Sequence, residues 1–533
     1  MSSTCGEVLA TMLENYGIDT VFGIPGTHTI ELYRGLPQTN LTHITPRHEQ
    51  GAGFMADGYA RVTGRPAACF TVSGPGAFNI ATAMGQALQD SIPMLVISAD
   101  NCTYQRGLGE GRLHETRNLQ AAMAECSVWS HTVLRAEDLP RILARAFGIF
   151  ASARPGPVHL TLPIDVITAL AVDISTAPWP LPGRPGPDSV SIKKAVELLN
   201  SAKRPVVALG GGSVGAAEEL LTLARLLDAP VTLTHNAKGL LPLGHPLLVQ
   251  SSPSFAPVRE LYSQADVILA IGTEFSETDY DFFFDGQFSL GGKLIRIDID
   301  STQLMRNVRP DIAIQADSRL TLLQLLESIT GQKRDGAGRT AKVNQAVKSL
   351  DNEDYQAFLD CFQRALPGVI VMGDSTQPAY FAASQYHPPR PRLFASAATG
   401  YGTLGYALPA AFGAKLAMPD SPVIALIGDG GLQFTINELS SGVEAGLGVA
   451  IVVWNNQRYE MIAQNFEDAG MAPIACDIHT PDFIGIANAY GCSAKRVTSI
   501  GELELELQQS QGRSVPTLIE VREEDFLSST TSK

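Results

Sequence analysis

Short, uninterrupted apolar runs rich in β-branched residues recur along the whole chain and alternate with stretches of helical character. A strand with one face in water alternates polar and apolar residues, whereas a strand covered on both faces reads as a continuous apolar run. The pattern therefore predicts α/β architecture built on mostly parallel sheets. The predicted strands cover residues 20–24, 68–72, 94–98, 158–162, 206–210, 231–234, 267–272, 294–299, 369–373, 423–428, 450–454 and 517–521.

Two stretches divide this pattern into three parts. Residues 177–188 contain five prolines, which make an extended and stiff connector, and residues 331–340 are polar with no apolar periodicity. A chain of 533 residues has room for about three domains of ~150 residues. We therefore predict three doubly wound domains, at 1–170, 190–330 and 350–525.

The composition argues against several classes of protein. The net charge of −15 disfavours binding to nucleic acid phosphates, and no apolar run approaches the ~20 residues of a membrane helix. The seven cysteines are odd in number and form no CxxC pair, so neither a zinc cluster nor a disulfide framework is predicted. No secretory signal is visible, and a reduced, cytoplasmic setting is expected. The expected partner is a small molecule.

The most specific motif lies in the third predicted domain. The sequence Gly-Asp-Gly-Gly (428–431) follows one strand and precedes a predicted helix at 435–445, and the next strand ends in an Asn-Asn pair (455–456). The carboxyl ends of parallel strands meet at one edge of a sheet, where such folds bind cofactors. A carboxylate and an amide oxygen suit Mg²⁺ that bridges a diphosphate. Either half alone indicates an ordinary turn, but together they predict a cofactor site.

This spacing resembles the signature of the thiamine diphosphate-dependent enzymes of the acetolactate synthase, pyruvate decarboxylase and benzoylformate decarboxylase group. The resemblance implies thiamine diphosphate and Mg²⁺ as cofactors. It also implies a pyrimidine-binding first domain, a central domain with a nucleotide-binding type of fold, and a third domain that binds diphosphate and metal. The metal ligands implied are Asp429, Asn456 and the backbone carbonyl of Arg458, and the glycines implied to line the cofactor are Gly428, Gly430 and Gly431.

The first domain carries an independent match. Residues 47–61 resemble the segment that contains the family's activating glutamate, which hydrogen-bonds the aminopyrimidine of the cofactor; here this is Glu49. The neighbouring glycine, alanine and methionine residues are too apolar for an exposed helix. Further cofactor contacts implied by the resemblance are Pro25, Gly26, Ser73, Asn79, the Gly402 carbonyl, and Leu404 as the wedge under the cofactor. Because the glutamate and the metal site meet between subunits in the family, we expect a homodimer or homotetramer.

The central domain contains a GxGxxG sequence, residues 210–215, after a predicted strand. The glycines alone fit either a dinucleotide site or a tight strand–helix turn. Acetolactate synthases hold FAD in this domain, but their basic residues are missing from the matching segment, 273–279. We therefore expect a nucleotide-type fold without FAD.

The resemblance leaves two reactions open, which share every cofactor residue. One is decarboxylation of a 2-oxo acid to an aldehyde, and the alternative is acetolactate synthase-type joining of two 2-oxo acids. His114, where acetolactate synthases have glutamine, and Leu404, where they have methionine, favour the decarboxylase, with His114 as proton donor. The alternative for His114 is a histidine that only packs in the fold. A non-catalytic protein would have no need of Glu49, Asp429 and Asn456.

The N-terminal run, residues 5–37, is most similar to the 5-guanidino-2-oxopentanoate decarboxylases of bacterial arginine catabolism. A guanidinium tail calls for carboxylates in the pocket. Glu460, which follows the Asn-Asn pair, is the first candidate. The acidic residues Asp279, Asp281 and Asp285 are the second, and they also fit an exposed acidic loop.

Overall fold

A computed structural model describes residues 3–280, 288–348, 352–398 and 400–530. The chain divides into two compact units. Unit 1 comprises Met1–Pro182, Arg364–Gln377 and Tyr401–Lys533, and unit 2 comprises Gly183–Gln363 and Pro378–Gly400. No helix in the described parts of the chain is long and apolar enough to cross a membrane.

The N-terminal part of unit 1 is a six-stranded parallel sheet in the order β2-β1-β3-β4-β6-β5, flanked by helices. Its inner strands are buried along their whole length, as the continuous apolar runs predict. The strands are β1 Thr20–Gly23, β2 Thr42–Ile44, β3 Ala68–Val72, β4 Met94–Asp100, β5 Trp129–Thr132 and β6 Pro157–Pro163. The helices are α1 Cys5–Asn15, α2 Ile30–Arg34, α3 Glu49–Thr63, α4 Pro75–Gln89, α5 Leu119–Ala124, α6 Leu139–Ser152 and α7 Ile164–Ile167.

Unit 2 is built on a five-stranded parallel sheet in the order β11-β10-β9-β7-β8. Aliphatic side chains from the sheet and its helices form a continuous core on one face. The strands are β7 Pro205–Leu209, β8 Val231–Leu233, β9 Val267–Ile271, β10 Lys293–Asp298 and β11 Ile312–Gln315. The helices are α8 Ser189–Ser201, α9 Ala217–Leu227, α10 Ala256–Ser263, α11 Glu277–Tyr280, α12 Ser301–Leu304, α13 Ser318–Leu326 and α14 Gly336–Lys348.

The C-terminal part of unit 1 repeats the design, with the parallel order β12-β14-β15-β17-β16. Before β14 the chain forms α15 Glu353–Ala365, β12 Ile370–Gly373, α16 Gln377–Gln385 and β13 Phe394–Ser396; most of α15 and α16, and all of β13, lie in unit 2. The remaining strands are β14 Val423–Gly428, β15 Ala450–Asn455, β16 Ser493–Val497 and β17 Thr517–Arg522. The remaining helices are α17 Ala407–Ala417, α18 Asp429–Thr435, α19 Leu439–Glu444, α20 Glu460–Asp468, α21 Phe483–Ala489, α22 Ile500–Ser510 and α23 Glu523–Thr530.

The α/β fold with parallel sheets is confirmed, and all the predicted strands are present with ends shifted by one or two residues. The predicted helix at 435–445 is wrong in its start, because α18 already begins at Asp429 and a short 3₁₀ turn, 436–438, separates it from α19. Glycines weaken a helix interior, which argued for a turn here. In the first turn, however, Gly430 allows the Tyr459 ring to come within 2.6 Å of where a Cβ would stand.

Helix α3, which carries Glu49 as its first residue, packs closely against α17. A Cβ at Gly58 would stand 2.0 Å from the Ala410 carbonyl oxygen, and one at Gly413 would stand 1.8 Å from that of Met55. Only glycine at these two positions lets the backbones approach so closely. The two helices join the N-terminal and C-terminal parts of unit 1.

A buried ionic network in the middle of α3 gives a first testable prediction. Arg61 contacts Asp57 and Asp90 at 2.6 Å each, and the Tyr406 hydroxyl donates to Asp57 at 2.7 Å. Replacing Asp57 by Asn places an amide against the buried guanidinium, so we expect a loss of about 3 kcal/mol in unfolding free energy. Urea denaturation measures this loss. An unchanged midpoint would contradict it.

Candidate active site

The Glu49 carboxylate is fixed by α4. Asn79 donates its Nδ2 hydrogen to Glu49 Oε2 at 2.9 Å, and a Cβ at Gly76 would stand 3.2 Å from Glu49 Oε1. Gly76 therefore leaves room for the carboxylate at the start of α4. Glu49 itself is half-buried, with Asn79 as its neighbour rather than an entirely apolar pocket.

Two histidines meet at the loop that leads into α4. His114 and His28 lie edge to face with ring centroids 5.0 Å apart. The Ser73 hydroxyl donates to the His114 carbonyl at 3.1 Å and lies 3.4 Å from His28 Nδ1. His28 was not predicted, although it follows the Pro25–Gly26 turn by two residues; its contact with His114 spans a distance in sequence that no local pattern reports. We call Glu49, Asn79, Ser73, His28 and His114 the activator cluster.

The histidine pair has features of a functional site. His114 has a φ of 57°, a conformation that costs energy for a residue other than glycine. Its Nδ1 is buried and finds no hydrogen-bond partner among the described residues. Burial lowers the pKa of His28, the neighbouring His114 lowers it further, and Asp100 acts in the opposite sense. His28 is therefore neutral near pH 7, so that one of its ring nitrogens can accept a hydrogen bond and the other can donate one.

The Asp429 carboxylate lies at the carboxyl end of β14, where α18 begins. It is only 2% exposed, and its Oδ2 has no hydrogen-bond partner within the described part of the chain. Burial raises the pKa of Asp429 to about 6, and the N–H groups of Gly430 and Asn456 offset this only in part. A buried carboxylate with one oxygen that makes no hydrogen bond suits the role of a cation ligand.

Asn456 completes the same edge of the sheet, one residue after β15. Its Oδ1 accepts a hydrogen bond from the Arg458 N–H at 3.2 Å. Arg458 pairs with Asp477 in an isolated antiparallel bridge. The hydrogen bonds of this bridge use the Gln457 carbonyl and the Tyr459 N–H, so they do not use the Arg458 carbonyl. We call Asp429, Asn456 and Arg458 the metal cluster.

The described residues contain no group of three or more His, Cys, Asp and Glu side chains arranged for a metal. A cation at the metal cluster would therefore depend on one carboxylate, one amide, a backbone carbonyl and oxygens from a bound ligand. Mg²⁺ is commonly held in this way, by one or two carboxylates together with substrate phosphates. The donor set thus fits a magnesium diphosphate.

Two hydrogen bonds from neighbouring elements hold the segment 401–405 in place. The Thr403 hydroxyl donates to Gln86 in α4, and the Thr435 hydroxyl donates to the Gly405 carbonyl at 2.8 Å. Gly402 has a φ of 68° and is exposed, whereas Leu404 is half-buried. The contacts of Gly402 and Leu404 with the cofactor stay predictions.

Glu460 begins α20 and faces the Arg458 guanidinium at 3.7 Å. The same guanidinium lies 3.4 Å from Glu467 and 3.3 Å from Asp477. Three carboxylates thus surround one cation, which leaves an excess of negative charge beside the metal cluster.

Of the second acidic candidate, the structure describes one residue, Asp279. Asp279 is buried, and its carboxylate accepts hydrogen bonds from the backbone and ring of His235 at 3.1 and 3.2 Å. An exposed acidic loop is therefore the wrong interpretation for Asp279, whose charge stabilises the interior of unit 2. Asp281 and Asp285 lie outside the described residues.

Close packing accounts for the first glycines of the GxGxxG sequence. A Cβ at Gly210 would stand 2.1 Å from the Gly272 carbonyl oxygen, and one at Gly212 would stand 2.9 Å from the Gly272 Cα. The turn after β7 therefore touches the end of β9 backbone to backbone. The expectation of a domain without FAD stays a prediction.

The activator cluster lies with the N-terminal sheet of unit 1, and the metal cluster follows strands of its C-terminal sheet. No hydrogen bond or ion pair between described residues joins a member of one cluster to a member of the other. The activator cluster is built around the starts of α3 and α4. The metal cluster is built around the carboxyl ends of β14 and β15.

Family models match three successive parts of the chain. The N-terminal TPP binding domain of thiamine pyrophosphate enzymes matches residues 3–124, the central domain matches 192–325, and the C-terminal TPP binding domain matches 374–521. The chain belongs to the thiamine pyrophosphate enzyme family, and its cofactor is thiamine diphosphate. The resemblance inferred from residues 428–431 and 47–61 is thereby confirmed.

Relatives of known name align over almost the whole chain. A probable 2-ketoarginine decarboxylase of Pseudomonas aeruginosa is 42% identical, over 97% of this chain and 94% of its own length. The acetolactate synthase isozyme 1 large subunit of Escherichia coli is 33% identical, over 97% of this chain and 94% of its own length. A probable acetolactate synthase large subunit of Methanococcus aeolicus is 32% identical, over 96% and 91% respectively.

Proposed function

We propose that the protein is a thiamine diphosphate- and Mg²⁺-dependent decarboxylase that converts 5-guanidino-2-oxopentanoate (2-ketoarginine) into CO₂ and an aldehyde. The observation that carries this proposal is the pair of clusters, each with a carboxylate fixed at the end of a parallel sheet, in a chain of this family. The 42% identity to a probable 2-ketoarginine decarboxylase over nearly the full length supports the substrate.

Each cluster has a part in this reaction. Bound thiamine diphosphate supplies the electron sink that makes loss of CO₂ from a 2-oxo acid possible. Glu49 would hold a proton at the aminopyrimidine nitrogen, with Asn79 keeping its carboxylate in place. Asp429 and Asn456, with the Arg458 carbonyl, would hold Mg²⁺ on the diphosphate. His114 would deliver the proton that the product aldehyde needs.

The separate clusters support an active site between subunits. We propose that Glu49 of one subunit serves the cofactor held by Asp429 of another, in a homodimer or homotetramer. Large apolar side chains flank the activator cluster in the open: Ile30, Phe78 and Leu113 are 61%, 53% and 57% exposed. Apolar side chains of this size are commonly covered by a partner.

We retain two further proposals from the sequence. The three domains would be a pyrimidine-binding domain at 1–170, a central domain at 190–330 and a diphosphate-binding domain at 350–525. The cytoplasmic location is supported by thiols that are free, among them Cys5, Cys69 and Cys492.

The test is CO₂ release from a panel of 2-oxo acids in the presence of thiamine diphosphate and Mg²⁺, with identification of the organic product. We expect preference for 5-guanidino-2-oxopentanoate over pyruvate and branched-chain or aromatic 2-oxo acids, with an aldehyde as product. The similarity to acetolactate synthases makes the carboligase the second candidate. Acetohydroxy acids as the only products would establish it and overturn the decarboxylase.

Substrate selection by Glu460 gives a second prediction. If its carboxylate pairs with the guanidinium tail, Glu460→Gln loses one charge-assisted hydrogen bond and raises KM for the guanidino acid about tenfold. Kinetics with an uncharged 2-oxo acid, for which we expect no such rise, separate recognition from damage. Glu467→Gln is the matched control, because it removes a charge that faces the same Arg458 guanidinium from about two turns further along α20. Equal effects of both variants would contradict the assignment.

A further inference from the structure

Glu438 is a fully buried acid that the proposed reaction does not use directly. It lies in the 3₁₀ turn between α18 and α19, and its side chain is 0% exposed. Burial raises its pKa, and hydrogen bonds to the carboxylate oppose the rise. Burying a carboxylate is costly unless its oxygens are bonded, so the partners of Glu438 show what the acid is kept for.

Those partners lie immediately before Glu49. The Arg47 N–H donates to both oxygens of Glu438, at 3.0 and 3.1 Å. The Ser441 hydroxyl donates to Oε2 at 2.6 Å, which orients the group from its own side. The Arg47 side chain pairs with Glu444, which lies in α19. The 3₁₀ turn and α19 therefore hold both the main chain and the side chain of Arg47.

The carboxylate also lies against the first turn of α3. A Cβ at Gly51 would stand 2.3 Å from Glu438 Oε1, so no larger residue fits between them. The first N–H groups of a helix have no partner within the helix. Here His48 Nδ1 accepts from the Gln50 N–H, while Glu438 accepts from the Arg47 N–H just outside the helix. The start of α3 is thus held from two sides.

We propose that Glu438 is a positioning residue for the reaction: by fixing the main chain at Arg47, two residues before α3, it sets where the Glu49 carboxylate stands. This inference rests on the proposed role of Glu49. Reactions of this kind are sensitive to placement, and a shift of ~1 Å can cost about a hundredfold in rate. A residue needed only for packing would not have to be an acid.

The test compares Glu438→Ala and Glu438→Gln with Asp57→Asn, which alters another buried acid, in α3 itself but two turns from Glu49. In the protein without cofactor, hydrogen exchange of the Arg47 amide by local opening should become about tenfold faster in Glu438→Ala. It should stay unchanged in Asp57→Asn, whose expected loss of stability acts on global unfolding. With cofactors, kcat should fall about a hundredfold in Glu438→Ala. KM for the 2-oxo acid should change little.

Rescue by the amide distinguishes positioning from stability. The Gln oxygen can still accept one N–H, so Glu438→Gln should recover kcat to within about fivefold of the wild type, and it serves as the test variant if Glu438→Ala does not fold. The proposal is overturned if kcat stays within threefold in Glu438→Ala, or if Asp57→Asn loses as much. An inactive wild-type protein would refute the proposed function, whereas the exchange result would still report whether Glu438 holds the main chain at Arg47.

Discussion

Glu49→Gln is expected to lower kcat for decarboxylation by a factor on the order of 10²–10⁴, the range for a lost proton-transferring group. The amide has nearly the shape of the acid, and its oxygen can still accept the Asn79 hydrogen bond that fixes the side chain at 2.9 Å. What it cannot do is hold or release a proton at the aminopyrimidine nitrogen. The loss should therefore be one of chemistry and not of structure.

Three measurements separate these effects. CO₂ release under saturating substrate and cofactor gives kcat, a binding titration with thiamine diphosphate and Mg²⁺ gives cofactor affinity, and urea denaturation gives stability. We expect only kcat to change by more than threefold. Glu49→Asp keeps the charge but shortens the side chain, so it should fall between Glu49→Gln and the wild type. A Glu49→Gln variant that keeps a tenth of the wild-type kcat would refute the role of Glu49.

Sequence patterns predicted the inner strands well and the edge strands badly. The strands missed include β2, β5, β11 and β16, each of which lies at the edge of its sheet. An edge strand has one neighbour and reaches solvent, so it is short and its residues are mixed: β16, Ser493–Val497, contains one lysine and one arginine and is buried at only one position. A continuous apolar run marks only strands that are covered on both faces.

The candidate site residues that the sequence indicated are those whose motif lies within one short segment of the chain. Asp429 and Glu49 stand in glycine-rich segments, and Asn456 closes an Asn-Asn pair directly after a strand, so each signal is readable in one short segment. His28 and Glu438 act through contacts with His114 and Arg47, far away in the sequence. A glutamate in a helical stretch normally indicates an exposed face, so nothing near Glu438 signals that it is buried.

Asp429→Asn is expected to make the protein without cofactor more stable and to remove its stabilisation by the cofactor. Burial raises the pKa of Asp429 to about 6, above the ~3.9 of an unfolded chain. An acid whose folded pKa is raised favours the unfolded state once it ionises, so wild-type stability falls as the pH rises from ~4 to ~6 and stays low above that. Two pKa units correspond to about 2–3 kcal/mol, which the neutral amide restores near pH 7.

The same substitution removes the charge that the metal needs. Mg²⁺ with thiamine diphosphate at about a hundred times its dissociation constant should stabilise the wild type by about 2.7 kcal/mol and the variant hardly at all. Asp374→Asn is the matched control: burial also raises its pKa to about 6, but its carboxylate is used by the N–H groups of Ser375 and Ala407, so the cofactor effect should persist. Urea denaturation at pH 5 and 7, with and without cofactor, measures both effects. A variant that is no more stable at pH 7, or that Mg²⁺ and thiamine diphosphate still stabilise as they do the wild type, would show that Asp429 is not the ligand that the unused oxygen indicates.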